Sequence, residues 1–189
     1  MIFDYAAFGA IHGFAEKFLL LDWAGIFLAR FLPYAIVLVG LIIFFRIKNW
    51  RHRVYFLAVV LLAVILARGL LTEVIRVIYE RPRPFIALGF NPLISHESGN
   101  SFPSGHASAF FALAGSIFLF LRRYPEYGRR EAIWLFIAAT LVGLGRVFVG
   151  VHWPSDVAAG AIIGVISAYA VFLFVPKPES MAESHPARE

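Results

Sequence analysis

Five apolar runs, Trp23 to Phe45, Val54 to Ile78, Gly105 to Leu121, Ala132 to Val149 and Trp153 to Phe174, take up most of the chain and limit what it can become. At about 1.5 Å per residue each comes close to or exceeds the roughly 30 Å hydrocarbon thickness of a bilayer. In lipid every backbone N–H and C=O must be satisfied within its own segment, so such runs fold as helices. The rest of the chain cannot build a competing soluble core, because 60% of the 189 residues are hydrophobic and only 15% are charged. The fold expected is an all-α integral membrane bundle of five to six transmembrane helices.

An N-terminal helix makes up the number. From Tyr5 to Leu19, Phe8, Ile11, Phe14, Ala15 and Phe18 recur at helical spacing, while His12, Gly13, Glu16 and Lys17 interrupt the apolar surface. This pattern predicts an amphipathic helix lying at the interface, with a steeply tilted sixth span as the alternative. Met1 to Phe8 lacks the basic start of a cleaved signal peptide, so targeting is expected to come from the spans. Residues 1–175 should form one membrane-embedded domain, and residues 176–189 a polar, proline-containing tail without fixed structure.

The basic residues set the orientation. Arg46, Lys48, Arg51 and Arg53 lie in one connection, and Arg122, Arg123, Arg129 and Arg130 in another on the same side, which the positive-inside rule makes cytoplasmic. The 79–104 loop and the 146–153 turn then emerge on the extracytoplasmic side. These clusters account for the net charge of +5, so nucleic acid is not an expected partner. With no cysteine, thiol nucleophiles, disulfides and thiolate metal sites are excluded.

The polar residues that remain gather near that extracytoplasmic side. Arg68, Glu73 and Arg76 lie inside the second run, where each charge costs about 2.5 to 3.5 kcal/mol unless it meets a partner or water. Arg68, Thr72 and Arg76 share one helix face, and Glu73 can neutralise one arginine. Pro103-Ser104-Gly105-His106 reads as a capped helix start whose free amides at Ser104, Gly105 and His106 attract an anion, with an imidazole beside it to exchange a proton. Asp156 follows His152 by one helical turn, so its carboxylate can hold the Nδ1 proton and leave Nε2 as a nucleophile. Arg76, Arg83 and Arg146 converge on the same side, and their planar donor forks match phosphate oxygens.

The ordered set of Arg76, Arg83-Pro84, Pro103-Ser104-Gly105-His106, Arg146, His152 and Asp156 resembles the three-part signature of the type 2 phosphatidic acid phosphatase superfamily, whose soluble relatives include vanadium haloperoxidases. The small size, the Arg-Pro-Arg-Pro-Phe run and the N-terminal helix are similar to bacterial undecaprenyl-diphosphate phosphatases. The family pattern usually has lysine where this chain has Arg76, which keeps the charge. It usually has serine where this chain has Gly145, which removes a hydroxyl ligand.

The resemblance implies that His152 attacks phosphorus, Asp156 orients it and His106 protonates the leaving oxygen, with a phosphohistidine intermediate. Arg76, Arg83, Arg146, Ser104 and Gly105 would bind phosphate, and no metal or other cofactor is implied. The partner would be a lipid diphosphate or monophosphate. Undecaprenyl diphosphate at the outer face of a bacterial inner membrane, recycled for cell-wall synthesis, is the leading substrate; phosphatidylglycerophosphate and phosphatidate are the alternatives. Two other classes remain open at this level. One is a lipid flippase or transporter, which would spread its charges through the membrane depth; the other is a His/Asp metal hydrolase.

Overall fold

The computed structural model describes residues 2–96, 98–128 and 131–178, and all its regular structure is helical. In chain order the helices are α1 (Ile2–His12), α2 (Leu19–Arg46), α3 (Trp50–Ile78), the short α4 (Pro84–Leu88), α5 (Gly105–Arg123), α6 (Glu131–Phe148) and α7 (Pro154–Phe174). A single turn of 3₁₀ helix at Pro125–Tyr127 joins α5 to α6. By length and composition α2, α3, α5 and α7 can each cross a membrane, and α6 is a somewhat shorter apolar helix beside them. The five expected spans are all present. Arg129 and Arg130, and the tail beyond residue 178, lie outside the described residues.

The N-terminal helix is shorter than its apolar periodicity suggested. α1 stops at His12, because the chain turns at Gly13 and Glu16 takes a left-handed φ of 63°. Its 11 residues rise only about 16 Å, too little to cross a bilayer. Instead α1 packs sideways on the bundle: Phe8 is buried against Val147 and Trp153, and Tyr5 lies 4.8 Å from the Trp153 ring. α2 conversely starts four residues earlier than expected. Asp22 falls in its first turn, where it suits the positive helix end, and accepts from the Glu16 amide at 2.9 Å.

Two of the spans widen in mid-course. In α2 the π-helical segment Phe27–Phe31 precedes Pro33, which has no N–H to offer Ala29, and Leu32 reaches back five residues to Phe27 O instead. In α3 the segment Ile65–Leu71 does the same, with the Thr72 amide donating to Ala67 O. The Thr72 hydroxyl then donates to Ser108 Oγ at 2.9 Å, and Ser108 donates to Ser104 O at 3.1 Å, which ties α3 to the start of α5.

α5 is the central helix, packed by α3, α6 and above all α7. Its contact with α7 is nearly backbone to backbone. A Cβ on Gly160 would come within 2.5 Å of Ser104 O, and one on Gly164 within 2.6 Å of Ser108 O. Small residues spaced four apart let membrane helices approach this closely, where packing and not the hydrophobic effect holds them together. Towards the basic end the bundle is filled by Ile43, Tyr55, Phe56, Ile117, Phe120 and Leu135, while leucine, isoleucine and phenylalanine side chains face outward, as lipid contact requires. The polar residues are left at the other end.

Replacing Gly160 by Val should therefore wedge α5 from α7 and cost about 1 to 3 kcal/mol of stability, the usual penalty of overpacking. A thermal melt in detergent would show it as a clear drop. Gly9→Ala, which meets nothing within 4 Å, should leave the melt unchanged.

Candidate active site

The turn between α6 and α7 buries the first functional group. α6 ends at Phe148 and is stopped by Gly150, whose φ of 87° suits glycine and whose amide donates to Val147 O. The chain reverses there, and Pro154 starts α7 with its φ already fixed. His152 is left between the helices with 1% of its surface exposed. Asp156, in the first turn of α7, reaches back with Oδ2 to the Trp153 amide at 2.9 Å and to His152 Nδ1 at 3.4 Å. A carboxylate on that side assigns the proton to Nδ1. Nε2 then faces the cavity, 3.4 Å from Arg83 Nη1.

The second element is the start of α5. Ser104 caps it, its hydroxyl oxygen lying 3.5 Å from the Ala107 amide. The Ser104 amide does not face an anion as the sequence suggested; it donates to Asp156 O at 2.9 Å and so docks α5 onto α7. The amides of Gly105 and His106 have no backbone acceptor outside the helix among the described residues. Ser104 is fully buried, whereas Gly105 and His106 line the cavity.

Three arginines complete the site, and each keeps donors unspent. Arg83, just before α4, donates to Val151 O at 3.0 Å and Asn100 O at 3.3 Å. Arg76, near the end of α3, donates to Pro103 O at 3.1 Å and Glu73 at 3.3 Å. Arg146 is 4% exposed and does not itself line the cavity. Among the described residues, Nε of all three arginines and Nη2 of Arg146 are buried without a hydrogen-bond partner. Buried donors left this way are costly, and an oxyanion in the cavity is the group that would satisfy them.

That cavity, of about 210 Å³, brings together Arg76, Arg83, Gly105, His106 and His152. Burial, and then the charges of Arg146 and Arg83, hold His152 well below the usual imidazole range, so it is neutral at pH 7. Burial and the neighbouring Arg76 bring Arg83 down to about 10, which still leaves it cationic.

Four further residues belong to this region, of which only Arg68 drew a reading from the sequence, as a helix-face charge within reach of Glu73. Arg68 and His96 also line the cavity, the His96 ring 6.3 Å from that of His152. Arg81 bridges Asp156 Oδ1 at 2.6 Å and Asp4 Oδ2 at 2.5 Å, and Asp4 Oδ1 accepts from the Ser155 amide at 2.9 Å. Burial raises the Asp4 pKa, but the Ser155 and Arg81 bonds outweigh it and keep the carboxyl ionised. Arg81 and Arg83 share one Arg-Pro context, so only the fold separates the carboxylate clamp from the cavity arginine.

Gly145 corrects an expectation as well. A Cβ there would lie 2.8 Å from Ala29 N and Leu28 Cβ, so the position faces α2 and does not supply a ligand to the cavity.

The charge on Arg83 is one reason that His152 resists protonation. Arg83→Gln should therefore raise the His152 pKa and move the acid limb of kcat/KM to higher pH, in addition to weakening catalysis. A pH–rate profile of the two proteins checks the direction, because kcat/KM reports groups of the free enzyme.

The chain and its fold are similar to known proteins. A family model described as the PAP2 superfamily matches residues 57–180. The chain is 34% identical to the bacitracin transport permease protein BcrC of Bacillus licheniformis, over 90% of this chain and 80% of that one. It is 31% identical to the undecaprenyl-diphosphatase BcrC of Bacillus subtilis, over 90% and 83%. Among solved structures, the transmembrane PAP2 type phosphatidylglycerolphosphate phosphatase from Bacillus subtilis superposes with a TM-score of 0.65 at 28% identity, covering 97% of this chain and 88% of that one. With matched helices, a matched family pattern and the histidines and arginines of that pattern around one cavity, the chain belongs to the PAP2 superfamily.

Proposed function

We infer that this membrane protein is a lipid phosphatase that removes the terminal phosphate of undecaprenyl diphosphate, leaving undecaprenyl phosphate for reuse as a carrier in cell-wall synthesis. The observation that carries the reading is the meeting of an Asp-held imidazole with guanidinium donors that have no partner among the described residues. Similarity to the undecaprenyl-diphosphatase of Bacillus subtilis supports the choice of lipid. Residues 1–175 act as one unit, since α1 is clamped to the catalytic turn through Asp4.

In the first step His152 Nε2 attacks the terminal phosphorus. The bridging P–O bond breaks, its electron pair stays with the lipid phosphate, and His106 supplies the proton. Asp156 holds Nδ1–H and stabilises the positive charge that grows on the ring. In the second step water attacks the phosphohistidine, His106 takes the water proton, and the P–N bond returns its electrons to Nε2. Arg83, Arg76 and the Gly105 amide stay on the phosphoryl oxygens throughout, where charge develops, and the buried Arg146 adds its positive charge from beside the cavity.

No metal enters this scheme. Among the described residues no group of three or more His, Cys, Asp or Glu side chains is placed to hold one. A transporter is less well supported, because the buried charges gather at one end of the bundle. The structural likeness to a phosphatidylglycerolphosphate phosphatase keeps lipid monophosphates as the second reading.

Phosphate release by the purified protein from a panel of lipid diphosphates and monophosphates, in excess chelator, tests the reading. The diphosphate should be preferred and chelator should not matter. His106→Ala should cost about 10² to 10⁴ in rate on an alkyl monophosphate and much less on a nitrophenyl ester, whose leaving group needs no proton. A strict metal requirement would contradict the mechanism.

The site faces the extracytoplasmic side in this reading, because the basic connections lie at the other end of the spans. In intact cells Ser95→Cys should react with an impermeant maleimide and Glu126→Cys should not; both positions are exposed.

A further inference from the structure

Arg68 is left over by the chemistry just described, although it lies in the same cavity as His106 and His152. It belongs to the π-helical segment of α3, about two turns deeper in the bundle than Arg76, and its side chain is 41% exposed. A charge so far inside a membrane helix is expensive to keep. π-segments of this kind are common at functional sites, and this one is built into the helix that carries Arg68.

The side chain lies across the start of α5. A Cβ on Gly105 would overlap it, coming within 2.8 Å of Arg68 Cδ and 3.0 Å of Cζ, so only glycine admits the guanidinium to this place. Its partner among the described residues is Glu73, through Nη1, and Glu73 also accepts from Arg76 Nη1. Among the described residues two guanidinium groups thus share one carboxylate, which leaves a net positive charge at the cavity edge.

That edge is the open side of the cavity. Arg83 and His152 are almost fully buried at its inner end, whereas Arg68 stands with Ala109 and Phe110, which offer apolar surface one turn beyond His106. A phosphoryl group on His152 would have the remainder of its substrate pointing towards Arg68. In a lipid diphosphate the group at that point is the second phosphate. In a lipid monophosphate it is an uncharged alkyl oxygen.

We propose that Arg68 forms a second anion subsite that holds the non-transferred phosphate of a lipid diphosphate, and so selects diphosphates over monophosphates. The proposal rests on the phosphatase reading and deepens it. When the bridging P–O bond breaks, the leaving lipid phosphate gains negative charge beside Arg68, and the guanidinium stabilises what the proton from His106 does not neutralise. A monophosphate has no such charge to offer, so its departure depends on His106 alone.

Inhibition by two small anions separates the subsites. Methylenediphosphonate can span both, whereas orthophosphate fills only the inner one, and each is titrated against hydrolysis of a lipid monophosphate. Arg68→Gln should weaken methylenediphosphonate by about tenfold or more, as the loss of one charge-assisted contact implies, and orthophosphate by less than about threefold. Arg68→Lys, which keeps the charge without the fork, should fall between and serves if the glutamine variant does not fold. The kcat/KM ratio of a diphosphate to a monophosphate with the same chain should fall in parallel.

Equal weakening of both anions, or of neither, overturns the subsite. Because the assay substrate is a monophosphate, a wild type that binds methylenediphosphonate through Arg68 yet cleaves no lipid diphosphate would support the subsite and overturn the proposed substrate.

Discussion

The close contact of α5 with α7 is the constraint on which the site depends. Gly160 and Gly164 bring the two backbones together, and the Ser104 amide can then reach the Asp156 carbonyl. One hydrogen bond thereby joins the helix start beside His106 to the helix start that orients His152. The rest of the bundle supports this junction: α3 is tied to it through Thr72, Ser108 and Ser104, and α1 through Asp4, Ser155 and Arg81. Packing between small residues thus becomes catalytic geometry.

Electrostatics gives that geometry its purpose. Arg76, Arg83 and Arg146 are held close together in a poorly solvated region, and Asp156 is already engaged by Arg81, Trp153 and His152. Like charges in a low-dielectric setting repel strongly. The protein supports this arrangement with carbonyl groups at Val151, Asn100 and Pro103, which fix the guanidinium orientations and leave the Nε edges unspent. A phosphate dianion would relieve both the repulsion and the unsatisfied donors. Burial and the same cations keep His152 neutral, the form that the proposed nucleophilic role requires.

The spans and the main site residues could be read from the sequence because each rests on local spacing. Runs of apolar residues mark helices whatever they pack against, and the four-residue step from His152 to Asp156 remains a contact in the fold. The expectations that the structure corrects depended on distant partners. Apolar periodicity through Phe18 hid the end of α1 at Gly13, and the Ser104 amide was committed to a residue 52 positions away. Arg81 could not be told from Arg83 by its neighbours, and Gly145 looked like a missing ligand until α2 was seen against it. Arg68 read from the sequence as a charge to be neutralised by Glu73, and only the fold shows it lying across Gly105.

The account claims above all that phosphate passes through His152. Brief reaction of the protein with substrate labelled in its terminal phosphate, an alkaline quench that preserves phosphohistidine, and peptide mapping of the label test this directly. The account predicts label on His152 that is stable to alkali, lost in acid, and absent from His152→Ala. Label on any other residue, or rapid turnover with no labelled protein at any time, would contradict it.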